Sequence, residues 1–226
     1  DGPPATVLRL SDEAETAIGL ARPQALGAAG GGAPGGCLAI LGWEGHEEDV
    51  AARREATGRR LRAAGGEPVA GAGDGWVQGR YRGPYLRDAL LDAGALVDTL
   101  ETVTFWSRLP GLYASVSEAL RARLTELGSP PVILCHISHS YPAGAALYFT
   151  VACAAREDPV AQWRSAKAAA GRAILDAGGS ISHHHGIGSD HVAEYAQEIG
   201  PLGLQALRAV KARLDPAGIM NPGILV

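Results

Sequence analysis

The sequence predicts an α+β fold, a largely antiparallel sheet covered by helices. Helix and strand patterns alternate along the 226 residues, so both element types share a core. The two central strand patterns, 132–137 and 145–153, flank the turn Tyr141-Pro142-Ala143-Gly144. A gap that short joins strands as a hairpin, and hairpin-joined strands run antiparallel. No internal repeat is evident, which argues against a solenoid or propeller.

The elements follow in order. Residues 6–10 (TVLRL) read as an alternating strand. Ser11 is placed to cap a short helix with Asp12 and Glu13 in its first turn. Residues 27–36 (GAAGGGAPGG) read as a flexible low-complexity loop. Residues 37–43 (CLAILGW) are apolar and glycine-bounded, the pattern of a buried strand. Residues 47–64 are helical, with Val50, Arg54, Thr57 and Leu61 along one side, and Gly65-Gly66 ends the helix. Residues 71–83 are loop-like, 85–93 helical and 96–103 a strand. Residues 112–127 form a helix stopped by Gly128 and Pro130. An Ala-rich helix covers 159–177, and Gly178-Gly179 follow it. Two further helical pieces lead to Leu214, where Asp215-Pro216 breaks the pattern.

The length fits one large domain or two small ones. The chain is 46% hydrophobic, enough for a substantial core, and its formal net charge is -4. That balance gives no electrostatic case for nucleic acid or an anionic membrane surface as partner. No apolar run is long enough to span a bilayer. The chain has no initiator methionine and its first strand pattern begins almost at once, so a fragment of a longer protein is expected. Cys37, Cys135 and Cys153 are an odd count without metal-type spacing. They read as buried thiols in a reducing compartment, and a cytoplasmic setting is expected, at most peripheral to a membrane. Abundant Ala and Gly, with Arg favoured over Lys, point to a GC-rich genome and a bacterial source.

The chemistry concentrates in GGSISHHHGIG, residues 178–188. Imidazole is the side chain best suited to proton transfer near neutral pH. If 180–185 is extended, alternate side chains point to opposite faces, with His183 and His185 on one and His184 on the other. On that geometry at most His183 and His185 share a metal ion, with His136 or His139 as a third ligand. Acid–base or cofactor-contact work suits the cluster better, and no metal is expected. Tyr141 lies in a turn, where a phenol either moves a proton or packs on the sheet. Arg9 sits in an apolar strand, either binding an anion through its guanidinium or serving as an ordinary edge-strand arginine. Neither a phosphate-binding GxxxxGK[ST] loop nor a GxSxG nucleophile elbow occurs.

The order of motifs is recognisable. LRLSD opens the chain, then come LGWEG at 41–45, YLRD at 85–88, SYPAGA at 140–145, the histidine run, and DPAGIMNPG at 215–223. This order resembles the C-terminal substrate (cap) domain of FAD-linked oxidases of the vanillyl-alcohol oxidase type. The SHHHG run with the Tyr-x-Ala-Gly-Ala turn is similar to the alkyldihydroxyacetonephosphate synthase branch. The resemblance covers nearly the whole chain and implies one ferredoxin-like cap domain over residues 1–226. It also implies FAD, held mainly by a preceding FAD-binding domain of the same polypeptide that this chain lacks. The implied reaction exchanges the acyl group of acyl-dihydroxyacetone phosphate for a fatty alcohol, an ether-lipid step that uses flavin without net oxidation. The fragment alone is expected to be inactive.

On this resemblance Tyr141, His183, His184 and His185 are the catalytic positions, and Arg9 binds substrate or cofactor. His136, His139, Arg87 and Asn221 are further candidate binding positions. Pro142 stands where the branch carries an acidic residue and His136 where it carries arginine. Two alternatives follow. One is an FAD-dependent dehydrogenase of small D-2-hydroxy acids, whose turn GHxGDGNxH and run EHG are matched only at His136 and His185. The other is a non-catalytic binding module or homodimerisation unit.

Overall fold

In the computed structural model, residues 5–21 and 35–226 are described. Most of the expected low-complexity loop, 27–34, lies outside them. The elements are β1 (Val7–Ser11), α1 (Glu13–Ala21), β2 (Leu38–Gly42), α2 (Glu47–Ala63), α3 (Ala72–Gly79), α4 (Gly83–Asp92), β3 (Ala95–Phe105), α5 (Leu109–Glu126), β4 (Val132–Ser140), β5 (Gly144–Ala154), α6 (Pro159–Asp176) and α7 (Val192–Leu214). The five strands have the order β2-β1-β4-β5-β3 in an antiparallel sheet, and the α+β class holds. The chain forms two compact units, Asp1–Val97 with Leu134–Ser140 and Asp98–Ile133 with Tyr141–Val226.

In the first unit β1 pairs antiparallel with β2, Arg9 opposite Ile40, and with β4, Leu10 opposite Ile137. The expected Ser11 cap is corrected: Ser11 is the last residue of β1. Asp12 takes that place instead, its Oδ1 accepting the Glu15 N–H at 2.8 Å. The expected loop over 71–83 is also corrected, because α3 spans Ala72–Gly79 and α4 begins at Gly83. The sequence of α3, AGDGWVQG, carries glycines that lower helix propensity and hide the pattern. No helix among the described residues is long and apolar enough to cross a membrane.

The second unit holds a dense core. On α5, Leu112, Val116, Leu120 and Leu124 recur every four residues, so they share one face, and all are fully buried. Burying each leucine contributes about 2 kcal/mol. They meet α6, whose Ala166, Ala170 and Gly171 are small enough for close helix approach, and β5, whose Phe149 and Val151 are fully buried. Buried Gln162 is satisfied: its amide donates to the Ala154 carbonyl at 3.1 Å and its oxygen accepts the Arg156 N–H at 2.9 Å. α7 is two pieces, as expected, broken where Gly200 (φ 69°) precedes Pro201.

Candidate active site

Three elements of the second unit position the site. The first is the β4–β5 turn. Tyr141 N–H donates to the Gly144 carbonyl at 2.8 Å, and Trp106 holds the turn from β3's end. The Trp106 backbone N–H donates to Ala143 O at 3.1 Å, and its indole N–H donates to Tyr141 O at 3.0 Å. The second is β3, where Thr99 and Glu101 share one face by alternation. Tyr148 of β5 donates its hydroxyl to Thr99 Oγ1 at 3.1 Å.

The third element is the histidine run. Ser180 N–H donates to Val103 O at 3.0 Å, and Thr102 Oγ1 donates to Ser180 O at 2.7 Å, tying the run to β3. Ile181 is buried, and its N–H donates to Glu198 Oε2 on α7 at 2.8 Å. Beyond Ser180 the chain bends. His185 N–H donates to the His183 carbonyl at 2.6 Å, and His184 between them has φ 44°. A positive φ at a residue with a side chain is uncommon and costs about 1 kcal/mol. Ser182 Oγ closes the bend by donating to Gly186 O at 2.8 Å.

That bend corrects the expected strand alternation. His184 does not face away from His183 and His185; all three rings converge on Glu101. His183 Nδ1 is 3.6 Å from Glu101 Oε1, and the Nε2 atoms of His184 and His185 lie 3.3 and 3.2 Å from Oε2. The Glu101 side chain is 1% exposed, whereas those of His184 and His185 are 47% exposed, so the rings stand between the carboxylate and solvent. Tyr141 Oη is 2.9 Å from His183 Nε2, and His183 Nδ1 is 3.0 Å from His184 Nδ1. The Tyr148 ring meets His185 edge-on, centroids 6.1 Å apart. Ligand-type atoms of Glu101, His183 and His184 fall within 4.8 Å of one another, which replaces the expected His183–His185 pairing.

The structure therefore brings together Tyr141, His183, His184 and His185, and adds Glu101, Thr99 and Tyr148. Sequence reasoning missed Glu101. Its signal was a carboxylate next to Leu100 in the strand pattern ALVDTLETVTF, where a buried charge without a partner is rare.

The remaining expected residues make the following contacts. In the first unit, Arg9 Nη2 pairs with Glu15 Oε1 at 2.7 Å, and the same oxygen is 3.1 Å from His136 Nδ1. The anion that Arg9 meets here is thus Glu15. Burial pushes the Glu15 carboxyl up, but the hydrogen bond and charge of His136 and the charge of Arg9 outweigh it and hold it below its ordinary range. A depressed folded-state value stabilises the fold above the unfolded value, about 4.3, and that stability disappears as pH falls through the folded value. Wild-type protein is therefore expected to lose thermal stability on acidification below about pH 5 more steeply than Glu15→Gln, as thermal melts across pH would show. Exposed His139 is 3.1 Å from Ser138 Oγ, and exposed Arg87 pairs with Asp88 at 3.2 Å. In the second unit, Asn221 is an exposed turn residue (φ 46°) accepting the Ile224 N–H at 3.2 Å.

Residues 1–225 match the family model described as FAD linked oxidases, C-terminal domain. The chain belongs to this family. Two relatives of this FAD-linked oxidase C-terminal domain are alkyldihydroxyacetonephosphate synthases. The one from Dictyostelium discoideum is 34% identical over 192 residues, 84% of this chain and 31% of that protein. The one from Trypanosoma brucei brucei is 31% identical over 191 residues, again 84% of this chain and 31% of that protein. A solved alkyldihydroxyacetonephosphate synthase superposes with a TM-score of 0.68 at 27% identity, covering 96% of this chain and 39% of its own. The chain thus spans about a third of the length of these curated relatives. The expected bacterial source is corrected: both relatives come from eukaryotes. A GC-rich codon bias enriches Ala, Gly and Arg in any lineage, so composition does not carry that assignment.

Proposed function

We propose that this domain is the catalytic face of an FAD-dependent enzyme that exchanges the acyl group of acyl-dihydroxyacetone phosphate for a fatty alcohol. The observation that carries the reading is the 2.9 Å contact between Tyr141 Oη and His183 Nε2. It joins a phenol to an imidazole on a domain similar to alkyldihydroxyacetonephosphate synthases. The FAD-linked family and the donor set fit a flavin neighbour. Tyr141, Tyr148, Thr99, Glu101 and the three histidines carry no guanidinium or ammonium, so they suit proton exchange beside a flavin ring rather than holding its pyrophosphate. Bound FAD, held mainly by another domain of the same polypeptide, supplies an electron-accepting ring there.

The chain's residues supply the proton movements. Replacing an acyloxy group by an alkoxy group breaks one C–O bond, forms another and releases a fatty acid, with no net oxidation. A carbon beside the ketone loses a proton to a base and later regains one. Tyr141 is that base once its own proton has moved to His183, and it returns the proton afterwards. His184 and His185, half-exposed around Glu101, connect the pair to solvent. A lipid substrate pair makes a cytoplasmic enzyme peripheral to a membrane the expected setting.

The test supplies the full-length protein with acyl-dihydroxyacetone phosphate and a fatty alcohol, and separately with D-2-hydroxy acids and an electron acceptor. Alkyl ether formation with matching fatty-acid release supports the proposal. Turnover of the hydroxy acids alone contradicts it.

A further inference from the structure

We infer that Phe105 is a specificity-determining residue that receives the hydrocarbon chain of the exchanging group, an inference resting on the alkyl-exchange reading above. Phe105 ends β3 and is 60% exposed. A single exposed apolar side chain is ordinary, whereas a cluster of them marks a contact surface. Phe105 belongs to a cluster. Trp106 and Tyr141 are 42% and 43% exposed, and Pro142 and Ala143 of the turn are exposed as well. The Trp106 backbone and indole N–H groups donate to Ala143 O and Tyr141 O, so the turn and the end of β3 form one rim. β5 opens with Gly144, where an added Cβ would lie 2.9 Å from Phe105 Cα, so it has no side chain to lay over the ring. The next charged residue along the chain, Arg108, packs its guanidinium against Gly178. Thr104, on the opposite face of β3 from Phe105, donates to the Gly178 carbonyl at 2.9 Å.

Tyr141 stands between this rim and the histidine cluster. Alternation places Phe105 on the β3 face of Thr99 and Glu101, and four residues of strand put it about 14 Å beyond Glu101. The Tyr141 backbone is held at the Trp106 end, while its hydroxyl lies 2.9 Å from His183 Nε2. A carbon that loses its proton to that hydroxyl lies about 3 Å from it. The chain of the group exchanged on this carbon then runs to one side or the other. Toward Glu101 a hydrocarbon would strip water from half-exposed imidazoles without replacing the lost hydrogen bonds, which is costly. Toward Phe105 it covers aromatic carbon, and each methylene so buried raises affinity by about fourfold. The chain therefore lies over Phe105.

A chain-length series tests this. The experiment uses the full-length, FAD-loaded protein as wild type, Phe105→Thr and Phe105→Leu, with n-alkanols from n-butanol to n-dodecanol. Threonine keeps the strand propensity and removes the ring, whereas leucine keeps apolar area. Exchange assays at matched FAD content read kcat and KM for each alcohol, and calorimetry reads the binding of the same alcohols without turnover. We expect wild-type kcat/KM to rise by about two- to fourfold per added methylene. Phe105→Thr flattens that slope and lowers kcat/KM for n-dodecanol by about 10–10²-fold relative to n-butanol, the worth of the ring's apolar area. The change falls on KM rather than kcat, because the chain is held alike before and during the chemical step. Phe105→Leu restores most of the slope.

A loss in Phe105→Thr that is equal for every chain length overturns the proposal, because a merely structural role would act that way. An unchanged slope in Phe105→Thr does the same. A flat chain-length dependence in the wild type overturns it whether or not the variants fold. So does a lower FAD content or a shifted flavin absorption band in Phe105→Thr, because the ring would then serve the cofactor. The binding arm separates this inference from the reaction it rests on. If the wild type forms no alkyl ether, chain-length-dependent alcohol binding that Phe105→Thr abolishes sinks the exchange reading and leaves the assignment of Phe105 standing. Absent or length-independent binding sinks the assignment too.

Discussion

Tyr141→Phe in the full-length protein is expected to lower kcat/KM for alkyl exchange by about 10²–10⁴-fold, the range that general acid–base groups supply, while FAD stays bound. Only the hydroxyl is removed. The ring keeps its place because Trp106 and Gly144 hold the turn through backbone atoms of Tyr141. The loss should therefore appear in turnover rather than folding. Steady-state kinetics normalised to flavin absorbance check this, and near-normal turnover would remove Tyr141 from the chemistry.

The second large effect is on the fold that aims Tyr141. A Cβ added at Gly144 would lie 2.0 Å from the Thr104 carbonyl oxygen and 2.9 Å from Phe105 Cα. Both are backbone atoms, so no side chain can swing aside. Gly144→Ala is expected to cost about 3 kcal/mol or more, a drop of roughly 6–12 °C in Tm for a chain of this size. It should also displace the turn and lower activity beyond the loss of stability. Gly111→Ala is the matched control, because its added Cβ meets nothing within 4 Å and it lies in α5. That change should be neutral or slightly stabilising. Equal Tm values for the two variants would contradict the packing described at Gly144.

Much of this was legible in the sequence, and the parts that were not have physical causes. The β4–β5 hairpin and helices α5 and α6 follow from short-range periodicity and glycine or proline stops, which act within a few residues. The two pieces of α7 were readable for the same reason. Helix α3 was not, because three of its eight positions in AGDGWVQG are glycines, which mimic a loop. Tyr141 and the histidines were found through residue type and motif order. Their geometry was not, because alternation assumes an extended backbone and His184 adopts a positive φ. Glu101 was invisible as a partner because its contacts lie about eighty residues further on, and sequence spacing carries no record of that approach. Arg9 reads as an anion binder, and the structure supplies the anion from the chain itself as Glu15.

The central claim is that Tyr141 and His183 act as one proton-transfer unit. A double-mutant cycle on kcat/KM for alkyl exchange tests it most directly, using Tyr141→Phe, His183→Ala and the double variant at matched FAD content. Residues that act as a unit are strongly non-additive. The predicted result is a double variant no slower than the slower single. Losses that multiply, so that the double variant falls by the product of the two singles, would show independent roles and contradict the account.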